Sequence, residues 1–242
     1  MAAPARRDLT AAVGAMSRTD DGDAARLATV ELLGALAYGQ LRAFEITASA
    51  IRVAPDARVA DRLATFAVRE HHAYTVLRDH LIDRTDLAAA VIDRQKPVFD
   101  QFFDSVDLGD WRSACTFFAV GLPIAADFTR EVAPTLPPDT AVVVVGALAD
   151  RGPFEQYALD RLQEQMGTDE DREEVRHLVA DVLGRALTGF QGAMADTDAL
   201  QVLLAVQAGT AEPADALVRR VAVRVLEGHR RRMHALGLED LD

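Results

Sequence analysis

One cysteine, one tryptophan and one lysine are all that this 242-residue chain contains of those three types. With Cys115 alone, no intrachain disulfide can form and no cysteine-rich zinc site can be built. The reducing cytoplasm is therefore the expected compartment. No uncharged run reaches the eighteen or so apolar residues that would span a bilayer, so no membrane partner is expected. The opening residues, Met1 to Asp23, lack the apolar stretch of a signal peptide. Nucleophile-elbow, P-loop and dinucleotide-binding motifs are missing too, and no serine has a sequence-level link to a histidine and an acid. Positive charge is scarce: 26 Lys and Arg stand against 38 acids, for a net charge of −12. That balance argues against a surface built mainly for phosphate backbones. Because Lys96 is the sole lysine, nearly every cation is an arginine. With abundant Ala, Val and Asp, this reflects GC-rich coding rather than function.

What remains is a globular balance, 50% hydrophobic and 26% charged. Residues 1–23 read as a mobile, polar tail, and 24–238 as a single helical domain. From Ala24 to about Val53 apolar residues recur at three- and four-residue steps, among them Val30, Leu33, Ala37, Leu41 and Phe44. After the Pro55-Asp56 break, a second helix is predicted over 57–82. So short a connection makes the two antiparallel neighbours. Residues 83–107 form a crossover with short helical pieces. A third long helix runs from about Asp110 to Val132 and is bent at Pro123. A fourth covers 137–165 with a kink at Gly152-Pro153, and its Val142 to Val145 run reads as buried helix rather than strand. Further helices follow over 170–195, 197–208 and 213–236, the last stopped by Gly237.

In such a bundle, function is sought where an inward position is not apolar. At about 100° per residue, Glu70 falls in the middle of the face made by Leu63, Phe66, Ala67, Tyr74 and Leu77. A buried carboxylate needs a cation, a metal, a proton or a hydrogen-bond donor. Gln40 lies at the edge of the first stripe, and Glu45 near its opposite edge as a half-exposed acid. Cys115 belongs to an apolar face. Phe99, Phe102, Phe103, Trp111, Phe117 and Phe118 make core under the crossover, a hydrophobic pocket or a dimer face. The basic run His229 to Arg232, with Arg219, Arg220 and Arg224, either meets nucleic-acid phosphates or an acidic partner, or balances the helix end.

The stretch Leu32 to Gln40, Glu70 with Tyr74 and Leu77-Arg78-Asp79, the segment Ala125 to Phe128, and the ending Arg232 to Leu238 together resemble a known family. It is that of the actinobacterial ferritin-like proteins related to the MiaE-like tRNA hydroxylases, over roughly residues 27–238. The resemblance implies an all-α, ferritin-like four-helix bundle around a carboxylate-bridged di-iron centre, which takes a Glu from each of two helices and a Glu-x-x-His pair from each of the others. At the corresponding positions this chain carries Gln40, Glu70 with Ala73 three residues on, Leu122, and Asp150 with Pro153. Most donors are thus replaced. His71 and His72 lie beside Glu70, but only a π-bulge would bring His71 inward.

The leading expectation is a degenerate, metal-free site in a non-catalytic protein that acts by binding or assembly, with Glu70 protonated or bonded to Gln40. No cofactor is then expected. The alternative is a di-iron oxygenase acting on a modified tRNA nucleoside or a small molecule, with iron held by Glu70, His71, Asp150 and Glu155. A third reading has the vacated centre take an apolar ligand. The partner is an unidentified small molecule or protein; tRNA enters only through the resemblance, and homodimerisation stays open.

Overall fold

The computed structural model describes residues 7–106, 108–149, 151–196, 199–208 and 214–241. Among these no strand occurs. Helix α1 (Arg7–Ser49) ends in a 3-10 turn, Ala50–Val53, and Ala54 is extended just before Pro55. Helix α2 (Ala57–Ile82) has the bounds predicted for it. The carboxylate of Asp56 accepts from the amides of Arg58 and Val59, satisfying two donors that the first turn leaves over. The two helices pack along their length.

The first helix is longer than its apolar stripe. It starts at Arg7 rather than near Ala24, because residues 7–23 contain no proline and only two glycines to interrupt it. Residues 1–6, part of the expected tail, lie outside the described residues.

The crossover folds into α3 (Ala88–Arg94) and α4 (Lys96–Phe103), both lying on α1. The predicted third helix is realised in three parts. Helix α5 (Trp111–Thr116) passes into a π-helical segment, Phe117–Gly121, and then into α6 (Leu122–Val132). The bend expected at Pro123 is therefore taken up by one wide turn ahead of it, where the Leu122 amide donates to the Phe117 carbonyl. Gly121 permits this turn: a Cβ there would sit 2.6 Å from the Phe117 ring.

The fourth helix is broken rather than kinked, into α7 (Pro138–Ala147) and α8 (Gly152–Glu164). The Pro153 ring has no amide to donate and would collide with the carbonyl four residues back in a continuous helix. The valine run is helical, but it is only partly buried. Val144 is enclosed, whereas Val142 and Val145 are exposed on the outer face of α7.

Helix α9 (Asp169–Asp196) packs on α4, α10 (Ala199–Ala208) on α1, and α11 (Ala214–Leu236) on α6. Gly237 adopts φ +67° and ends α11, as its position predicted. Covered by α2, α3, α4 and α10, helix α1 is largely buried between Ala28 and Thr47. Gln40 is consequently a buried side chain and not an edge one.

Candidate functional site

Glu70 does face the interior, and its side chain is 4% exposed. Its hydrogen-bond partner is not Gln40. Arg151 Nη2 donates to Glu70 Oε1 at 2.8 Å, and Arg151 is itself buried. The break between α7 and α8 makes this possible. Arg151 is the residue before α8, and a chain turned by Gly152-Pro153 sends its side chain into the bundle. Aromatic rings pack beside the pair: Phe66 stacks on Phe154 at 4.3 Å, and Phe118 lies 5.1 Å from Phe154. Both side chains are nearly enclosed, lining the floor of a groove of about 460 Å³ with Phe66 and Phe154, and each charge depends on the other.

Arg151 also lines a cavity of about 130 Å³ enclosed by α1, α4, α6 and α9. Gln40 and Leu122, two of the positions where the family resemblance implies iron ligands, line the same cavity. The remaining wall is almost wholly apolar, with Phe99, Phe102 and Phe103 from α4 and Ala125 and Phe128 from α6. Gln40 Oε1 is buried and has no hydrogen-bond partner among the described residues. Ala125 also lines this cavity and is exposed, at its mouth.

Helix α4 is clamped where it forms the wall. The Tyr38 hydroxyl donates to Asp100 at 2.5 Å, and Arg42 donates to Asp104 at 2.6 Å while pairing with Asp100 at 3.1 Å. Desolvation, reinforced by the hydrogen bond to Asp100, pushes the Tyr38 phenol up to about 12. It therefore remains a donor throughout the physiological range. Arg42 also lies over the Phe103 ring, 5.6 Å from its centre.

The other candidates are dispersed. His71 is exposed, its ring against Phe44 and Tyr74. Helix α2 is regularly α-helical through this point, so no bulge turns His71 inward. Ala73 is buried on the far side of Glu70, and Pro153 is exposed in the first turn of α8. Glu155 stands one turn beyond Arg151, its amide donating to the Arg151 carbonyl at 3.0 Å, but its carboxylate pairs with Arg130 at 2.9 Å rather than joining Glu70. Asp150 lies outside the described residues. Among the described residues, no three His, Cys, Asp or Glu side chains converge as metal ligands. Among the described residues, what meets at the centre is one carboxylate already bonded to a guanidinium, one carboxamide and a leucine. That donor set does not fit a pair of iron ions, which need carboxylates and imidazoles from four helices.

Asp127 faces away from the centre. It accepts from Arg232 of α11 at 2.7 Å and from Arg130 at 2.9 Å, which docks α11 on α6. His229 is buried as well, and its Nε2 lies 3.2 Å from the Leu241 carbonyl. Two members of the basic run thus serve packing. Cys115 is 1% exposed, and burial pushes its thiol up to about 12. Glu45 is exposed beside Arg42, the helix-edge acid that its position indicated.

The essential residue that sequence reasoning missed is Arg151. Its only signal was indirect, namely that a cation was one of the four partners a buried Glu70 could take. Nothing in the pattern singled out one arginine among so many.

A search of curated proteins finds no match to the chain. The ferritin-like domain of actinomycetes matches residues 23–207, which covers α2 to α9 and most of α1 and α10. The chain belongs to this family of actinomycete ferritin-like domains.

Proposed function

We propose that this chain is a metal-free, non-catalytic member of its family that binds a small molecule in the cavity between α1, α4, α6 and α9. Kinship with the MiaE-like hydroxylases is part of the proposal and rests on the order of shared signatures along the sequence. The observation that carries the reading is the contact between Arg151 and Glu70. A guanidinium is permanently charged and offers no lone pair to a metal. It supplies at Glu70 the positive charge that iron supplies in a di-iron bundle. Leu122 and Ala73, where ligands are implied, add apolar surface and no donors.

The cavity supports binding over assembly. Well-packed interiors leave few voids larger than a water molecule, and this one is walled by aromatic rings held on a clamped helix. The test is elemental analysis of protein purified from iron-supplemented cells, alongside Glu70→Gln. The reading expects no stoichiometric iron in either protein. Stoichiometric iron that disappears in Glu70→Gln would restore the oxygenase.

A further inference from the structure

We infer that the cavity selects a neutral, single-ring molecule bearing one hydroxyl group, of the size and kind of phenol, and that Gln40 reads the hydroxyl. The inference rests on the metal-free reading of the centre and adds the chemical class of the ligand.

Size comes first. A cavity of about 130 Å³ is close to the roughly 150 Å³ at which an apolar engineered cavity takes up benzene. One ring fits; a nucleoside or a fused polycycle does not. Shape and surface come next. Phe99, Phe102, Phe103 and Phe128 supply ring faces and edges, which favour an aromatic guest in tilted or offset contact. The wall is also held close by small residues. Gly39 admits Phe99, where a Cβ would lie 3.0 Å from the ring, and Gly189 admits Phe102 at 3.2 Å. Larger residues there would push the rings into the cavity.

Charge decides against an ionised guest. Arg151 is the one cation on the wall among the described residues, and its Nη2 is committed to Glu70. A bound carboxylate would set a second buried anion against a single guanidinium whose charge Glu70 already balances. The polar contact therefore falls to Gln40. Its Oε1 has no partner, and the terminal amide of glutamine turns easily about χ3. A hydroxyl both donates and accepts, so it pairs with the carboxamide in either orientation. A guest without a polar atom would leave the buried acceptor unsatisfied.

The test is calorimetric titration of the full chain, with its iron content measured, using phenol, toluene and benzoate. Phenol is expected to bind about three- to tenfold more tightly than toluene, the increment of one net hydrogen bond, and benzoate not at all. Gln40→Leu should bind toluene at least as well as the parent and lose the preference for phenol. Ala125→Leu, at the exposed mouth, should abolish both while retaining the parent's melting temperature. Failure of both phenol and toluene to bind, equal affinity for the two, or tighter binding of benzoate overturns the ligand class and leaves the metal-free reading standing. Stoichiometric iron in the same preparation overturns that reading instead.

Discussion

Arg151 and Glu70 are 81 residues apart in the chain and 2.8 Å apart in the bundle, each enclosed on nearly all sides. A buried pair of this kind stabilises little relative to apolar side chains, yet removing one partner strands the other. Arg151→Met alone should therefore lower stability by ~3–5 kcal/mol, whereas Glu70→Leu combined with Arg151→Met should recover most of that loss. Urea denaturation of the two single variants and the double variant measures the coupling. Additive losses would mean that the two side chains do not act as a pair.

Cys115 offers a probe of the α5 packing. Its thiol is almost completely enclosed and is held up to about 12, chiefly by desolvation. Since the thiolate is the reactive form, a disulfide reagent at pH 8 should leave the native protein unlabelled and modify one thiol per chain in denaturant. Rapid labelling under native conditions would show that α5 opens readily.

His80 should make stability depend on pH. Its Nε2 lies 3.2 Å from Thr140 Oγ1, and Arg84 Nη1 lies 3.1 Å from its Nδ1. Arg84 can donate only to a neutral ring, so Nε2 carries the proton given to Thr140. Burial, followed by repulsion from the Arg84 charge, lowers the His80 pKa below 6.5 despite the opposing pull of Asp139 and Asp83. A depressed histidine pKa means that the folded state binds fewer protons than the unfolded one. This contribution is complete above about pH 6.5 and is lost as the pH falls from there toward the folded pKa. The melting temperature should drop between pH 7 and pH 5, and His80→Gln should flatten that part of the curve. Asp171 is depressed by its hydrogen bonds to Thr168 and Arg112, and Asp139 by the Thr140 amide; both add losses only at lower pH, below the ordinary carboxylate range.

Two glycines of α1 should respond in opposite directions to alanine. At Gly34 a Cβ would meet Val91 Cγ1 at 2.5 Å and the Val91 carbonyl at 3.3 Å, so the added methyl drives α3 from α1. Gly34→Ala should cost about 1–3 kcal/mol. At Gly22 nothing lies within 4 Å, and Gly22→Ala should gain about 0.4–1 kcal/mol from reduced freedom of the unfolded chain. Thermal melts of both variants settle the contrast. Equal effects would place α3 farther from α1 than described.

The helical architecture was legible because local signals agreed. Pro55, Asp56 and an uninterrupted stripe fixed both ends of α2, and the same arithmetic turned Glu70 inward. The interruptions near Pro123 and Pro153 were legible as positions but not as forms. Whether a proline yields a bend, a π turn or a break depends on packing, here of Phe117 against Gly121 and of Arg151 against Glu70. Gln40 looked marginal because a stripe drawn on one helix does not include the crossover helix that covers it. The cavity was even less visible, since it is the space left between four helices and has no sequence period of its own.

The account stands or falls on what neutralises Glu70. Crystals grown anaerobically with excess ferrous iron, with data collected across the iron absorption edge, examine that point directly. The account predicts no anomalous peak near Gln40, Glu70 and Leu122, with Arg151 Nη2 still within hydrogen-bond distance of the Glu70 carboxylate. An iron peak bonded to Glu70, with the Arg151 side chain swung aside, would contradict it.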